Sequence, residues 1–402
     1  MAARMNSAVP RRILPVIVLS QFAGTSLWFA VNAVMPDLQA AWSLPPTAVA
    51  TVTSAVQLGF VAGTLVFALL MLADRFPPTR VFLACSLLAA ACNAAIAALD
   101  GQFAALVVLR FMVGFLLAGI YPVGMKIAAS WYREGLGAAL GILIAALVLG
   151  TALPHGLRAL GGEAVGALRG AGGLHAWQAV VLAVSLLAAL GGIATALFVP
   201  EHRTGAPPAR ITPQALGAIW SDRQLRASVF GYFGHMWELY SLYVLLPAII
   251  ATRLAGTAVS ALSFWAIAAG AVGCAGGGLV ARRLGSARVA QWQLAASGAC
   301  CLASPWLLQA PLPLFAGWLV FWGITVAGDS PQFSTLTARN APPAVVGSVL
   351  TFTNCIGFAI SVVSIELFVR AAQAWPLAAV LPWLGIGPVL GVLMVRPLLR
   401  RQ

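Results

Sequence analysis

Residues 102–124 read QFAALVVLRFMVGFLLAGIYPVG, with Arg110 as the one charged residue. At about 1.5 Å per residue, such a run crosses a hydrocarbon core of about 30 Å as a helix. Outward from it, eleven more apolar runs fill most of the 402-residue chain: 13–36, 46–73, 80–99, 136–157, 176–199, 227–251, 257–281, 287–309, 311–333, 346–369 and 375–395. Hydrophobic residues make up 61% of the chain and charged ones 8%, against about 25% charged in a soluble domain. A bilayer solvates that apolar surface where water would not. Ala, Leu, Val and Gly dominate the runs, which suits helices better than the alternating strands of a membrane barrel. The expected fold is an all-α membrane protein of twelve transmembrane helices, numbered 1 to 12 in chain order.

The opening run also repeats. Gly114, Ala118, Gly119 and Pro122 recur as Gly323, Ala327, Gly328 and Pro331, an offset of 209. The loop LADRFPPTRV at 72–81 recurs as VARRLGSARV at 280–289, an offset of 208, and Gly137 and Leu140 recur as Gly347 and Leu350. A near-constant offset across six helices marks a tandem duplication of parallel repeats. The expected division is 1–199 for the first six-helix half, 200–226 for a cytoplasmic linker and 227–402 for the second half. A Gly-rich flexible segment is expected at 158–175.

The net charge of +13 follows from the position of the basic residues. With the N-terminus inside, 18 of the 23 Lys and Arg fall on cytoplasmic loops, 4 (Arg158, Arg169, Arg253, Arg370) fall outside, and Arg110 lies within a helix. That is the positive-inside pattern, with both termini cytoplasmic. The basic excess therefore calls for membrane lipid headgroups and no nucleic acid. The first helix is too long for a signal peptide and lacks a convincing cleavage site. The six cysteines lie within the helices, without His or carboxylate at metal-ligand spacing, and read as packing residues.

These residues resemble the major facilitator superfamily. Leu72-Ala73-Asp74-Arg75 followed by Arg80 is similar to the family's loop signature G-x-L-A-D-R-x-G-R-R, with Leu70 and Pro77 in place of its glycines. Leu106, Arg110, Gly114 and Ala118 match the helix-4 signature, and Gly150-x3-Pro154-x-Gly156 is a degenerate form of the helix-5 one. The resemblance covers about residues 12–397. His235-Met-Trp237-Glu238-Leu-Tyr240 and Asp329-Ser-Pro331-Gln332-Phe333 further resemble bacterial porters named for nitrate/nitrite or cyanate transport. The arginines with which nitrate members clamp their anion are missing: helix 2 offers Gln57 and helix 8 has no charge within 257–281. Nitrate itself is thus not the expected substrate. The resemblance implies a bacterial cytoplasmic (inner) membrane protein whose helices 1, 4, 7 and 10 line a central cavity.

Polar residues are costly inside a bilayer, so their helical phase shows which way they face. Helix 1 carries Gln21, Thr25, Trp28 and Asn32. Helix 4 carries Arg110, Gly114, Leu117 and Tyr121, and helix 7 carries His235, Glu238 and Ser241. Helix 10 carries Trp318, Trp322, Thr325, Asp329 and Gln332. Each set forms one stripe at a period near 3.6. With Gln57 and Asn354 they make up the expected substrate cavity. Glu238, beside Trp237 and Tyr240, either binds and releases a coupled proton or is held permanently by a partner such as Arg110. Asp329 either carries protons, meets a cationic group or caps the helix break at Pro331. Arg110 could serve proton transfer or hold a substrate carboxylate. His235 gains interest as a relay from standing one turn from Glu238. Lys126 reads as an interfacial cation, and Glu366 as exposed near the outer end of helix 11. Asp74, with Arg75 and Arg80, reads as a gating contact at the end of helix 2.

No nucleotide-binding loop, nucleophile–base spacing or metal cluster is present in the sequence, so neither an enzyme nor a cofactor is expected. The expectation is a secondary active transporter, acting as a monomer, that couples protons to a small polar organic solute or anion. The alternatives are a proton-driven exporter of drugs or metabolites, and a receptor or scaffold that keeps the fold without transport.

Overall fold

The computed structural model describes residues 10–132, 136–169, 175–201, 212 and 214–399. The termini, Arg133, Arg203 and Arg210 lie outside the described residues. No strand occurs among the described residues. Helix 1 spans Ile13–Trp42, helix 2 Ala48–Leu69, helix 3 Pro78–Ala98, helix 4 Phe103–Trp131 and helix 6 Ala176–Phe198. Helix 5 is Leu136–Arg169. Helix 7 spans Arg223–Ala251, helix 8 Thr257–Leu284, helix 10 Leu312–Asn340, helix 11 Val346–Ala374 and helix 12 Leu377–Leu399. Helix 9 is Ser286–Leu307.

Eleven of these are apolar enough to span a membrane on their own composition. Helix 9 falls short because it carries Gln291, Gln293, Ser297 and Ser304, although its 22 residues make about 33 Å of helix. Helix 5 continues to Arg169, so the flexible segment expected at 158–175 is in large part helical. In the linker, Gln214–Ser221 forms a short helix. Helix 7 then starts at Arg223, four residues earlier than expected. Asp222 caps it, its carboxylate accepting from the backbone N–H groups of Gln224 and Leu225 at 2.8 and 2.7 Å.

The two halves pack by one rule. Helix 2 lies on 4, 1 on 5 and 6, and 3 on 4 and 6. Likewise helix 8 lies on 10, 7 on 11 and 12, and 9 on 10 and 12. Close approach of helices 2 and 4 needs Gly114, where a Cβ would collide with the Val56 carbonyl. Its repeat counterpart Gly323 would collide in the same way with the Ala266 carbonyl of helix 8. Between the halves, helix 5 packs on helix 8 and helix 2 on helix 11. Exposed Leu87, Leu88, Leu186, Leu190, Val389 and Leu390 give helices 3, 6 and 12 their lipid-facing surfaces.

Three of the four helices expected to line the cavity are broken. Helix 4 breaks between Leu117 and Tyr121, and helix 10 at Asp329. In each, the proline just past the break (Pro122, Pro331) has no N–H to donate and would crowd the carbonyl four residues back. Helix 1 breaks over residues 26–29 without a proline. There Thr25 and Ser26 turn their hydroxyls onto the carbonyls of Gln21 (2.8 Å) and Ala23 (2.6 Å), a local competition that weakens the helix. Helix 7 runs unbroken.

Candidate transport site

The helix-1 break frees the carbonyls of Leu27 and Trp28, and Arg110 answers both. Its guanidinium donates to Leu27 O at 2.9 Å, to Trp28 O, and to Asn93 Oδ1 at 3.4 Å. Asn93 in turn donates to Val181 O and Ser185 Oγ of helix 6. Arg110 is fully buried. It therefore ties helices 1, 3 and 4 together, and does not pair with Glu238.

Glu238 is also fully buried, but it faces helix 9 and helix 10. Its carboxylate accepts from Trp322 Nε1 at 2.6 Å, Ser297 Oγ at 2.9 Å and Cys301 Sγ at 3.1 Å. The expectation that Glu238 lines the cavity beside Trp237 and Tyr240 is corrected. It projects into its own half, and Trp237 packs outward on Phe368 with its Nε1 3.4 Å from Trp383 O. The physical reason is angular. His235 and Glu238, three residues apart, lie about 60° apart around the helix. On a helix buried nearly all round, that angle separates the interface from the bundle interior.

His235 takes the other direction. Its Nδ1 stands 2.7 Å from Asp329 Oδ1 at the helix-10 break, and both side chains are buried. The two atoms lie within hydrogen-bonding distance, though not in the geometry of an aligned hydrogen bond. His235 lines a small cavity of about 50 Å³ between the halves, with Tyr121, Thr151, Tyr232, Tyr240, Tyr243, Ser330, Ser334, Asn354 and Phe358. Of the expected site residues, this wall holds Tyr121, His235 and Asn354. Tyr240, expected as a cavity aromatic, is in the wall; Tyr232 and Tyr243 of helix 7 and the serines of helix 10 were not anticipated, although Ser330 and Ser334, four residues apart, share one face of helix 10.

The other expected residues sit elsewhere. Trp28 stacks against Phe358 and Tyr240, with ring centroids 5.5 and 6.1 Å apart, and its Nε1 donates to Gln57 Oε1 at 3.1 Å. Asn32 donates to Thr53 Oγ1 at 2.7 Å and reaches a second cavity nearer the 1–2 and 7–8 loops. Gln21 is buried beside Gly124, between helices 1 and 4. Ser241 donates to Ser364 Oγ of helix 11 at 2.8 Å. Thr25 and Thr325 bond to carbonyls of their own helices, Trp322 holds Glu238, and Gln332 is buried. The helical phase placed all of these inward, and for Gln21, Ser241 and Trp322 inward means toward a neighbouring helix of the same half.

Asp74 lies half-exposed at the end of helix 2. Its Oδ1 meets Lys126 Nζ at 2.5 Å, and Lys126 also donates to Ala73 O at 2.7 Å. Lys126, read as a solitary interfacial cation, is thus the partner of Asp74 within the same half. Arg75 and Arg80 are exposed. At the opposite face, Arg158 of helix 5 pairs with Asp37 (2.9 and 3.0 Å) and donates across the halves to Ser260 Oγ at 3.1 Å. Ser54 donates across the halves to Glu366, which also holds Arg370. Glu366 is therefore a bridging group, where exposure was expected.

Two six-helix halves that meet along an aromatic and polar seam, with cavities at the seam, define a membrane transporter. The chain belongs to the Major Facilitator Superfamily, whose sequence profile matches residues 17–365. A search of curated proteins by sequence finds no match. Among solved structures, the chain is similar to the human organic anion transporter MFSD10 (TETRAN), with a TM-score of 0.72, 16% identity, and coverage of 96% of this chain and 99% of that one. It is also similar to a bacterial homolog of the human lysosomal transporter Spinster. In the inward-facing, occupied form the TM-score is 0.71 at 14% identity, covering 96% of this chain and 94% of that one. At these identities the likeness is one of fold alone.

Proposed function

We propose that the protein is a secondary active transporter. It moves a small polar organic solute across a bacterial cytoplasmic membrane by alternating access, and the His235–Asp329 pair carries the coupled proton. The observation behind this reading is the position of that pair. His235 forms part of the wall of the cavity between the halves, and Asp329 stands 2.7 Å behind it at the break of helix 10. Imidazole and carboxylate are both groups that can bind and release a proton, and ionisable residues inside the membrane commonly mark proton pathways. The cavity of about 50 Å³ is closed down in this state, and a solute admitted when the halves rock apart would meet the imidazole on its wall. Rocking of the halves would rehydrate the pair from one side and then the other, which links proton release to solute release.

The state of Arg110 narrows the solute. Its guanidinium is committed to backbone carbonyls, so it does not wait for a substrate carboxylate. An uncharged or basic solute fits the cavity better than an anion. Gln57 is engaged by Trp28, and helix 8 carries its charges, Arg282 and Arg283, only in its last turn. Nitrate-type anion clamping therefore has no basis in this chain, whatever the branch resemblance of helices 7 and 10. With the basic loops inside, the face bearing Asp74 is cytoplasmic. The cross-half bonds Arg158–Ser260 and Ser54–Glu366 then lie on the outer side and must open for outward access.

A second reading has its own observation. Tyr121, Tyr232, Tyr240, Tyr243 and Phe358 make the cavity wall strongly aromatic, which suits a flat organic cation and a proton-driven exporter. One experiment addresses both. Purified protein is screened by thermal shift against neutral metabolites, organic anions and aromatic cations, since ligand binding to the folded state raises Tm. The hit is then followed in proteoliposomes under an imposed pH gradient. Accumulation on the alkaline side supports proton-coupled uptake, and accumulation on the acid side supports the proton-driven exporter. Flux that ignores the gradient rejects coupling.

A further inference from the structure

The cavity at the opposite face is a separate space from the one that His235 lines. Its volume is about 540 Å³, against about 50 Å³ for the inner cavity. That is the size of sites that enclose small organic ligands. Helix 1 (Asn32, Met35), helix 7 (Val244, Ala248) and helix 11 (Val369) all contribute to its wall, so it spans both halves. One side chain, Tyr243, borders both spaces. With Phe29 and Tyr240 packed on it at centroid distances of 6.0 and 6.3 Å, Tyr243 forms a septum between them.

The chemistry of the lining is specific. Most of the wall is aliphatic. Its one cation, Arg158, is already neutralised by Asp37 through two bonds of 2.9 and 3.0 Å. A charged ligand would lose its hydration there and meet no free counter-charge. Asn32, 6% exposed, has its Nδ2 fixed on Thr53, while its Oδ1 has no hydrogen-bond partner; Tyr243 Oη has none either. Buried polar atoms in this position ask for a donor.

We propose that this vestibule is a second ligand site, distinct from the inner cavity, for an uncharged amphiphile that carries a hydroxyl. The hydroxyl donates to Asn32 Oδ1 beside Tyr243, and the alkyl body lies along Met35, Val244 and Val369. The proposal goes beyond the proton-coupled reading and does not require transport.

The test is photolabelling of the full-length protein in nanodiscs with 3-azioctanol, and with 3-azioctanoate as the charged analogue, mapped by peptide mass spectrometry. The expected result is saturable alcohol labelling within 32–49, 244–259 or 369–377, well above labelling by the carboxylate. Asn32→Leu should weaken the apparent affinity about tenfold, the loss of one buried hydrogen bond. Ala248→Trp, at an exposed lining position, should fill the space and abolish the labelling with Tm unchanged, which covers the case that Asn32→Leu does not fold. Competition by 1,2-hexanediol would assign the source of the ligand to the aqueous phase, and competition by monoolein to the bilayer; either supports the site. Labelling confined to lipid-facing residues such as Leu186 and Leu390, equal labelling by the carboxylate, or labelling undiminished in Ala248→Trp would overturn the proposal.

Discussion

The two halves share a packing scheme and differ in what they bury. At an offset of 208, Leu27 corresponds to His235 and Asn93 to Cys301; at the 209 that holds along helices 4 and 10, Arg110 corresponds to Leu319. In the first half, helix 1 is broken, and a guanidinium from helix 4 caps its freed carbonyls. In the second half, helix 7 is continuous and has no freed carbonyls to cap. There the buried ionisable group that neighbours helix 9 is the carboxyl of Glu238, and neutral donors from helices 9 and 10 surround it. The buried ionisable groups thus stand at different positions in the two halves, Arg110 on helix 4 and Glu238 on helix 7. Arginine keeps its charge at all physiological pH values, so Arg110 serves the first half as a fixed structural tie. Among the described residues, the buried imidazole and carboxyl groups are His155 of helix 5 in the first half and Glu238, His235 and Asp329 in the second.

The largest effect that would break this contrast is at Arg110. Arg110→Leu leaves two backbone carbonyls and the Asn93 oxygen without a donor in a water-free interior. The expected loss is about 3 kcal/mol or more, at roughly 1–3 kcal/mol per stranded group. Thermal unfolding in detergent should show it, and Arg110→Lys should not restore it, because one ammonium cannot span the fork. A variant with wild-type Tm that lost only transport would make Arg110 a substrate or proton group, and the two halves would then differ less than the geometry implies.

The two acids of the second half sharpen the contrast. Asp329→Asn removes the carboxylate behind His235. Solute exchange across the membrane should persist, while accumulation driven by a pH gradient collapses to simple equilibration. Glu238→Gln should act differently. The amide oxygen can still accept from Trp322, and its NH2 can donate to Ser297, so the expected stability cost is about 1 kcal/mol with the gradient response retained. Proteoliposome accumulation at two external pH values checks both variants. If Glu238→Gln uncouples and Asp329→Asn does not, the proton is carried inside the bundle and the cavity pair loses its role in coupling.

The fold was legible because its signals are long: runs of apolar residues with a fixed minimum length, and a repeat offset that holds over six helices. The site was only half legible. Periodicity reports that a residue faces inward, but inward has two meanings in a two-bundle protein, toward the other half or toward a neighbour in the same half. Glu238, Ser241 and Trp322 took the second meaning. A usable signal lay in helix 9, the least apolar of the twelve. A peripheral helix carrying Ser297 and Ser304 must turn them onto something buried, and for Ser297 that is Glu238. Arg110 was harder to read, because its partners are backbone carbonyls released by a break that has no proline to announce it. The charge pattern of the loops lent the partner of Asp74 no weight, since Lys126 falls 52 residues away on helix 4.

The smallest expected effect concerns that pair, and it tests whether the first half is scaffold throughout. Asp74 and Lys126 are each about one-third exposed, at 34% and 37% of the side chain. An exposed pair of this kind stabilises a protein by about 0–1 kcal/mol, so Asp74→Asn should barely move Tm. The contact nevertheless joins the loop after helix 2 to the end of helix 4, and helix 2 packs across the seam on helix 11. Loosening that joint leaves both cavities untouched but frees the end of helix 2 to sample more orientations against helix 11. The expected outcome is a slower turnover, with ligand affinity within about twofold of wild type, below the 1.4 kcal/mol that marks a tenfold change. Lys126→Gln should reproduce it, and the charge-swapped pair Asp74→Lys with Lys126→Asp should recover part of the rate. Measured Kd and initial uptake rate separate the cases. Loss of affinity in a folded Asp74→Asn protein would place this acid in the binding site, and a fixed charge contact in the first half would then be part of the transport chemistry.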